Sequence, residues 1–338
     1  MTDIYIDQYN QEIHTKYLQG TGFNTQIKAL PTVLDTIYNK ALNLKQYNNI
    51  IYIGDSASRD ILIAEELLLP TKWSISNLAV YSATGKDFEI LFNYIQEYGR
   101  HKIDKSDIVI INIWYFTFVK SSLHGSRVKN IVELNGYYKV DDNLRVSGKV
   151  GEIQGNLVML GFKLKMGLSY LLFGTPEVPF SLSLESIAIL IDRLMKVSTK
   201  IIPPKNKFKD IKTRDANTIN EYKQYWMNIM NSTTIPGEST ESFKRFLTAL
   251  QTVTNVVVIN INSPSWHRDI SYYIDYERWF RIDLVPFMDK QNIRFINFID
   301  SISDSAYVDS CHLSFKACQQ VNAMLGTYLL KIVKTIDK

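Results

Sequence analysis

The chain has 338 residues, of which 46% are hydrophobic and 21% charged, a balance typical of a globular protein and not of a disordered one. Its formal net charge of +4 is small and spread along the sequence, so we expect no nucleic-acid partner. Two cysteines, Cys311 and Cys318, are too few for a disulfide framework.

The first strong element is an apolar run from Asn49 to Ile53 that ends in Gly54-Asp55-Ser56. β-Branched and aromatic residues in such a run predict a buried strand, and the glycine permits a sharp turn after it. A helical pattern follows over residues 57–69, and Pro70 ends it. Ser56 is thereby predicted to lie between a strand and a helix N-terminus, which is a favourable position for a nucleophile.

Further apolar runs predict four more strands, at residues 73–81, 107–116, 255–261 and 293–298. The run at 107–116 is apolar nearly throughout, as expected of a strand that is covered on both faces. Helical patterns at about 86–98, 276–290 and 314–333 alternate with these strands. This alternation predicts an α/β protein with a five-stranded parallel sheet.

The alternation breaks in the middle of the chain. Residues 137–155 predict a hairpin, and helical patterns cover about 183–197, 215–230 and 239–251. We therefore divide the chain into an N-terminal arm and helix (1–48), an α/β core (49–116 and 254–338) and a large, mostly helical insertion (117–253).

Candidate catalytic residues come directly after predicted strands. Because the carboxyl ends of parallel strands meet at one edge of a sheet, we expect a common site formed by residues that follow the five strands: Ser56, Ser82, Trp114, Ser263 and His312. A serine nucleophile needs a base within hydrogen-bond reach, and the base needs a group that orients it. His312 is the candidate base, and Asp309, three residues earlier, can hold its ring N–H.

Other residues at the predicted edge are candidates for supporting roles. The oxyanion of an acyl-transfer intermediate needs fixed donors, for which the backbone N–H groups of Ser56 and Ser82 and the side chain of Asn112 are candidates. Candidates for contact with substrate are Asp55, Trp114, His267 and Arg268. Asp55 is also suited to stabilising the turn, because it abuts the serine rather than the histidine.

Gly54-Asp55-Ser56 after a strand, paired with Asp309-Ser310-Cys311-His312-Leu313-Ser314 near the C-terminus, resembles the SGNH (GDSL) hydrolase superfamily. The resemblance covers about residues 49–116 and 254–335. It implies a flavodoxin-like α/β/α sandwich and acyl transfer to water or to sugar hydroxyls. It also implies that Ser56 is the nucleophile, His312 the base and Asp309 the partner of that base.

Two features depart from the pattern of this superfamily. Ser82 stands where the superfamily usually has glycine, and the Gly-x-Asn-Asp block after the third strand is replaced by Ile113-Trp114-Tyr115-Phe116. The chain is similar in general appearance to divergent members that move acyl groups onto cell-surface polymers, in alginate O-acetylation and in D-alanyl transfer to teichoic acid. Those members usually carry an N-terminal membrane anchor.

We therefore expect a serine O-acetyltransferase or O-acetylesterase that acts on a carbohydrate or cell-surface polymer, with a membrane acyltransferase as a candidate partner. Two alternatives stay open: a plain carboxylester or lipid esterase, and a catalytically silent SGNH-like module that binds a glycan or an acyltransferase. The sequence has no HExxH spacing and no phosphate loop, so we expect no metal and no other cofactor.

The sequence as written has no signal-peptide pattern and no apolar run near the roughly 20 residues of a membrane span. For the chain as written this predicts a cytoplasmic protein. An anchor preceding it in the native protein would instead predict an extracytoplasmic one.

Overall fold

The computed structural model describes residues 36–59, 70, 72–118, 126–133, 138–148, 164, 216–230, 235–261, 263–299, 301–307 and 309–336. Seven strands lie in these ranges: β1 (Asn49–Ile53), β2 (Ser74–Asn77), β3 (Ile108–Ile113), β4 (Tyr138–Val140), β5 (Val146–Gly148), β6 (Asn255–Asn260) and β7 (Arg294–Asn297). β4 and β5 form the predicted hairpin. The other five form one parallel sheet in the order β2-β1-β3-β6-β7, which confirms the predicted parallel α/β architecture.

Nine α-helices lie in the described ranges: α1 (Ser56–Arg59), α2 (Gly85–Tyr98), α3 (Arg127–Glu133), α4 (Ala216–Met230), α5 (Glu238–Val253), α6 (Ser265–Arg268), α7 (Ser271–Trp279), α8 (Val285–Lys290) and α9 (Phe315–Ile336). A π-helical turn, Phe280–Leu284, joins α7 to α8, so the helix predicted at 276–290 begins earlier than expected. Short 3₁₀ turns occupy Tyr115–Phe118 and Asp304–Ala306, and a π-helical turn occupies Thr36–Lys40.

Several predictions fall partly or wholly outside the described residues. They are the arm before residue 36, most of the helix predicted at 57–69, and the helix predicted at 183–197. The predicted strand at 107–116 is shorter than expected, because the chain turns into the 3₁₀ helix after β3. The last helix predicted at 314–333 is α9 and extends to Ile336.

Alternate residues of the central strands face two separate hydrophobic layers. Ile51 and Ile53 of β1 pack on the face that α2, α5, α7 and α8 cover. Ile50 and Tyr52 point to the other face, which α9 covers with a stripe of apolar residues: Cys318, Val321, Leu325, Leu329 and Val333. Burial on both faces explains why the central strands lack polar alternation. Helix α5, within the segment predicted as an insertion, thus belongs to a layer that covers the sheet.

A buried carboxylate fixes the amino-terminal edge of the sheet. Asp107, just before β3, accepts hydrogen bonds at Oδ1 from the backbone N–H (2.9 Å) and side chain (2.8 Å) of Asn49. Its Oδ2 lies 2.7 Å from Nε2 of His101. Its backbone oxygen accepts a 2.8 Å bond from the hydroxyl of Thr254, which precedes β6. Asp107 therefore ties together the starts of three adjacent strands.

We expect Asp107→Asn to lower the free energy of unfolding by about 2–4 kcal/mol, because it leaves buried donors without a charged acceptor. Chemical denaturation measures this loss. Asp104→Asn is the matched control, since the side-chain carboxylate of the exposed Asp104 accepts hydrogen bonds only from Ser106 in the described contacts. Equal stability of the two variants would contradict the role assigned to Asp107.

Candidate active site

The turn after β1 leaves one serine accessible and buries the other. Gly54 is required there because a Cβ at this position would lie 2.4 Å from Cβ of Ser58. Ser56 begins α1 and is partly exposed, whereas Asp55, Ala57 and Ser58 are buried. The exposure singles out Ser56, and not Ser58, as the hydroxyl of this turn that a substrate could reach.

Asp55 is the acceptor at the centre of a buried network under the turn. Its Oδ1 accepts the Ala57 N–H (3.0 Å) and the Ser58 hydroxyl (2.9 Å), and its Oδ2 accepts the indole N–H of Trp114. Burial raises the pKa of Asp55, while these hydrogen bonds and the charge of His312 act in the opposite direction. The network gives Asp55 the turn-stabilising role that its sequence position suggested.

The side chain of Asn112 belongs to the same network. Its Nδ2 donates to the Ser58 hydroxyl at 2.8 Å, and within the described part of the chain its buried Oδ1 has no hydrogen-bond partner. Asn112 therefore supports the turn through Ser58. Its predicted role as an oxyanion donor, like a substrate contact by Trp114, stays a prediction.

Asp309 and His312 form a close buried pair after β7. Nδ1 of His312 lies 2.7 Å from Oδ2 of Asp309. Oδ1 of Asp309 accepts the backbone N–H groups of Cys311 (2.9 Å) and His312 (2.8 Å), which closes the loop on itself. A proton on Nδ1 that is donated to Asp309 places the basic lone pair of the ring on Nε2. This is the tautomer that a general base for a serine requires.

Charge attraction within the pair outweighs the cost of burial. Burial alone would raise the pKa of Asp309, but the His312 charge and the three hydrogen bonds hold that pKa well below its usual range. Burial alone would lower the pKa of His312, but Asp309 raises it well above the usual value. Burial also raises the pKa of Cys311 to about 12, so its thiol, 3.4 Å from Nδ1, is neutral near pH 7. Asp309 therefore supplies the charge that stabilises the imidazolium.

The turn after β1 and the loop after β7 lie close enough to interact electrostatically. Burial raises the pKa of Asp55, the residue next to Ser56, and the charge of His312 opposes that rise. Cys311 packs in the same hydrophobic cluster as Trp114, whose indole reaches Asp55. Two chain segments more than 250 residues apart in sequence are thus neighbours at the carboxyl edge of the sheet.

Ser82 lies beyond the end of β2, beside the same turn. The backbone of this segment follows β1, with hydrogen bonds from Leu78 N to Tyr52 O (2.8 Å) and from Val80 N to Gly54 O (3.0 Å). Ser82 has a φ of 58°, in the left-handed region that favours glycine. The backbone conformation at Ser82 is therefore one for which glycine is better suited.

His267 and Arg268 lie on α6, after β6. His267 is fully buried, and its ring nitrogens contact Ser310 O (3.1 Å) and the Tyr272 hydroxyl (2.7 Å). Arg268 Nη1 is 4.0 Å from Glu277 Oε1. His267 therefore adjoins the Asp309–His312 loop through Ser310, while Arg268 is directed to Glu277. Contact of either with substrate stays a prediction.

Sequence reasoning did not identify three residues that complete this site: Ser58, Trp226 and Ser310. Ser58 bridges Asp55 and Asn112, and Trp226 Nε1 donates to Ser310 Oγ at 3.0 Å. The available signal for Ser58 was its position two residues after the Gly54-Asp55-Ser56 motif. Trp226 carried no local signal, because it lies 84 residues from its partner.

Among the residues that the structure describes, two clusters bring ligand-type atoms within 4.8 Å of one another: Asp309, Cys311 and His312, and His101, Asp104 and Asp107. In both clusters the central carboxylate already accepts backbone N–H groups and an imidazole. Internal hydrogen bonds account for both arrangements, and we assign no metal to either.

None of the helices in the described ranges has the length and apolar character needed to cross a membrane. Comparison of the sequence with models of known protein families gives no match, and comparison with curated proteins gives none. Functional inference therefore depends on the site residues themselves.

Relief of left-handed strain is expected at position 82. We predict that Ser82→Gly is about 1 kcal/mol more stable than Ser82→Ala, because only glycine adopts this φ without steric cost. Ser147 of β5 is the control, since glycine in a strand is less stable than alanine. Denaturant unfolding of Ser82→Gly, Ser82→Ala, Ser147→Gly and Ser147→Ala measures both differences. If alanine is the more stable residue at position 82 as it is at position 147, the left-handed strain assigned to Ser82 is contradicted.

The raised pKa of His312 has a defined cause and a defined sign. In the folded protein we expect the imidazolium of His312 to persist well above pH 6.5. Its contribution to the free energy of unfolding should be complete below that pH and should be lost as the pH rises through the folded-state pKa. Asp309→Asn removes the carboxylate charge and should lower that pKa by at least one unit. Histidine NMR titration measures both values. An unchanged His312 pKa in Asp309→Asn would contradict the pairing.

Proposed function

We propose that this protein is an SGNH-like serine acyl-transfer enzyme that works through an acyl-Ser56 intermediate. The observation that carries the proposal is the buried 2.7 Å contact between His312 Nδ1 and Asp309 Oδ2, at the sheet edge where Ser56 is partly exposed. The strand order β2-β1-β3-β6-β7 supports a flavodoxin-like sandwich, whose ligands bind beyond the carboxyl ends of the strands.

In the proposed reaction Ser56 Oγ attacks the carbonyl carbon of an ester while His312 Nε2 takes the hydroxyl proton. Asp309 holds Nδ1–H and stabilises the imidazolium that forms. The imidazolium then protonates the leaving alcohol, which yields the acyl-serine ester. Water or a sugar hydroxyl, deprotonated by the same imidazole, attacks the acyl group and regenerates Ser56.

Backbone N–H groups are the proposed donors to the oxyanion. The side chain of Trp114, which follows β3, donates to Asp55, and that of Asn112, within β3, donates to Ser58. The backbone N–H groups of Ser56 and Ser82 are therefore the preferred candidates. Acetyl groups on a carbohydrate or cell-surface polymer are the proposed substrates, with a membrane acyltransferase as a candidate partner.

A catalytically silent binding module is the second candidate function. The engagement of Asn112 and Trp114 in a structural network favours it, because a side-chain oxyanion donor contributes about 10²–10³ in rate where it is present. Such a module would keep the Asp309–His312 pair as a structural element and would bind its glycan without turnover.

Labelling with a fluorophosphonate separates these candidates. We expect one adduct on folded protein, located on Ser56 by fragmentation that distinguishes it from Ser58, and no adduct in Ser56→Ala. Ser147→Ala, which removes an exposed serine of β5, should label normally. The labelling rate should rise with pH through the pKa of His312, because only the neutral imidazole accepts the proton.

Absence of an adduct on Ser56 in folded wild-type protein would overturn the enzyme proposal. Labelled protein that hydrolyses short-chain esters but leaves acetylated glycans intact would instead identify a plain carboxylester or lipid esterase.

A further inference from the structure

Ser310 occupies the centre of the loop that carries the proposed base. It lies between Asp309 and Cys311–His312, and it is buried. Its carbonyl oxygen contacts His267 Nδ1 at 3.1 Å, and its hydroxyl accepts the indole N–H of Trp226 at 3.0 Å. The loop is thus held at one residue from two directions.

His267 is oriented for this contact by Tyr272. A carbonyl oxygen can only accept, so Nδ1 of His267 carries the hydrogen and donates it to Ser310. Nε2 then accepts from the Tyr272 hydroxyl, 2.7 Å away. Burial lowers the pKa of His267 to about 4, so the ring stays neutral near pH 7 and keeps this tautomer. Edge-on packing against Tyr115, at 5.4 Å between ring centres, fixes the plane of the imidazole.

Trp226 reaches the loop from α4, which lies in the predicted insertion. Its ring packs edge-on against three aromatic residues that follow β3, namely Trp114 (6.4 Å), Tyr115 (6.1 Å) and Phe116 (6.3 Å). Trp114 in turn donates to Asp55, beside the proposed nucleophile. One aromatic cluster therefore contacts both the turn of Ser56 and the loop of His312.

We propose that Trp226 and His267 are positioning residues that hold the Asp309–His312 loop in register with Ser56 through Ser310. This inference rests on the proposed function, and it assigns α4 a part in catalysis without contact to the reacting atoms. Misplacement of a catalytic group by about 1 Å can cost about 10²-fold in rate, so loss of one of these hydrogen bonds should be measurable.

Three variants test the Trp226–Ser310 bond: Trp226→Phe, Ser310→Ala and the double variant. Each single change should slow fluorophosphonate labelling of Ser56 about tenfold, and the double variant should be no slower than either single one. Trp279→Phe is the matched control, since it removes an indole hydrogen bond to Asp283 (2.7 Å) away from the loop.

The contact between His267 and Tyr272 is tested separately. Tyr272→Phe should also slow labelling, because it removes the hydroxyl that orients His267. Tyr276→Phe should not, because its buried hydroxyl has no partner among the described residues.

A readout specific to positioning is the NMR titration of His312. Trp226→Phe and Ser310→Ala should lower its pKa relative to wild type and to Trp279→Phe, because a displaced Asp309 stabilises the imidazolium less. The positioning role would be overturned if the wild type is labelled and both Trp226→Phe and Ser310→Ala are labelled at the same rate as Trp279→Phe. If the wild type is not labelled, the proposed function is overturned instead. In that case the His312 pKa still tests the positioning role: a pKa in Trp226→Phe and Ser310→Ala equal to that of the wild type would show that Trp226 does not position the loop through Ser310.

Discussion

The buried contact between Asp309 and His312 is the constraint on which the site depends. A buried carboxylate is costly unless its oxygens are satisfied, and Asp309 has an imidazole and two backbone N–H groups to satisfy them. These bonds fix the loop, the ring tautomer and the direction of the basic nitrogen together. A loop with a different conformation would leave the Asp309 charge buried and unpaired.

The rest of the sheet edge is arranged around that loop by aromatic residues. Directly after β3 the chain has Trp114, Tyr115 and Phe116, which are buried. Trp114 donates to Asp55, and Trp226 packs on Trp114 while it donates to Ser310. Aromatic packing, with a hydrogen bond to Asp55 at one end and to Ser310 at the other, thus links the turn of Ser56 to the loop of His312.

The sequence allowed the sheet and the Asp309–His312 pair to be predicted, because both depend on local patterns. Apolar β-branched runs mark the strands, and the two partners of the pair lie three positions apart in the sequence. The network under Ser56 could not be predicted, because Trp114 and Asp55 lie 59 residues apart and Asn112 and Ser58 lie 54 apart. Trp114 was expected at the edge as a substrate contact, and only tertiary structure shows its indole N–H directed to Asp55.

A crystal structure of the protein after fluorophosphonate treatment tests the central claim most directly. We expect a phosphorus atom bonded to Ser56 Oγ, with His312 Nε2 within about 2.6–3.2 Å of that oxygen or of the phosphonyl group. An unmodified Ser56, or a His312 ring whose Nε2 is turned away from it toward the protein interior, would contradict the account.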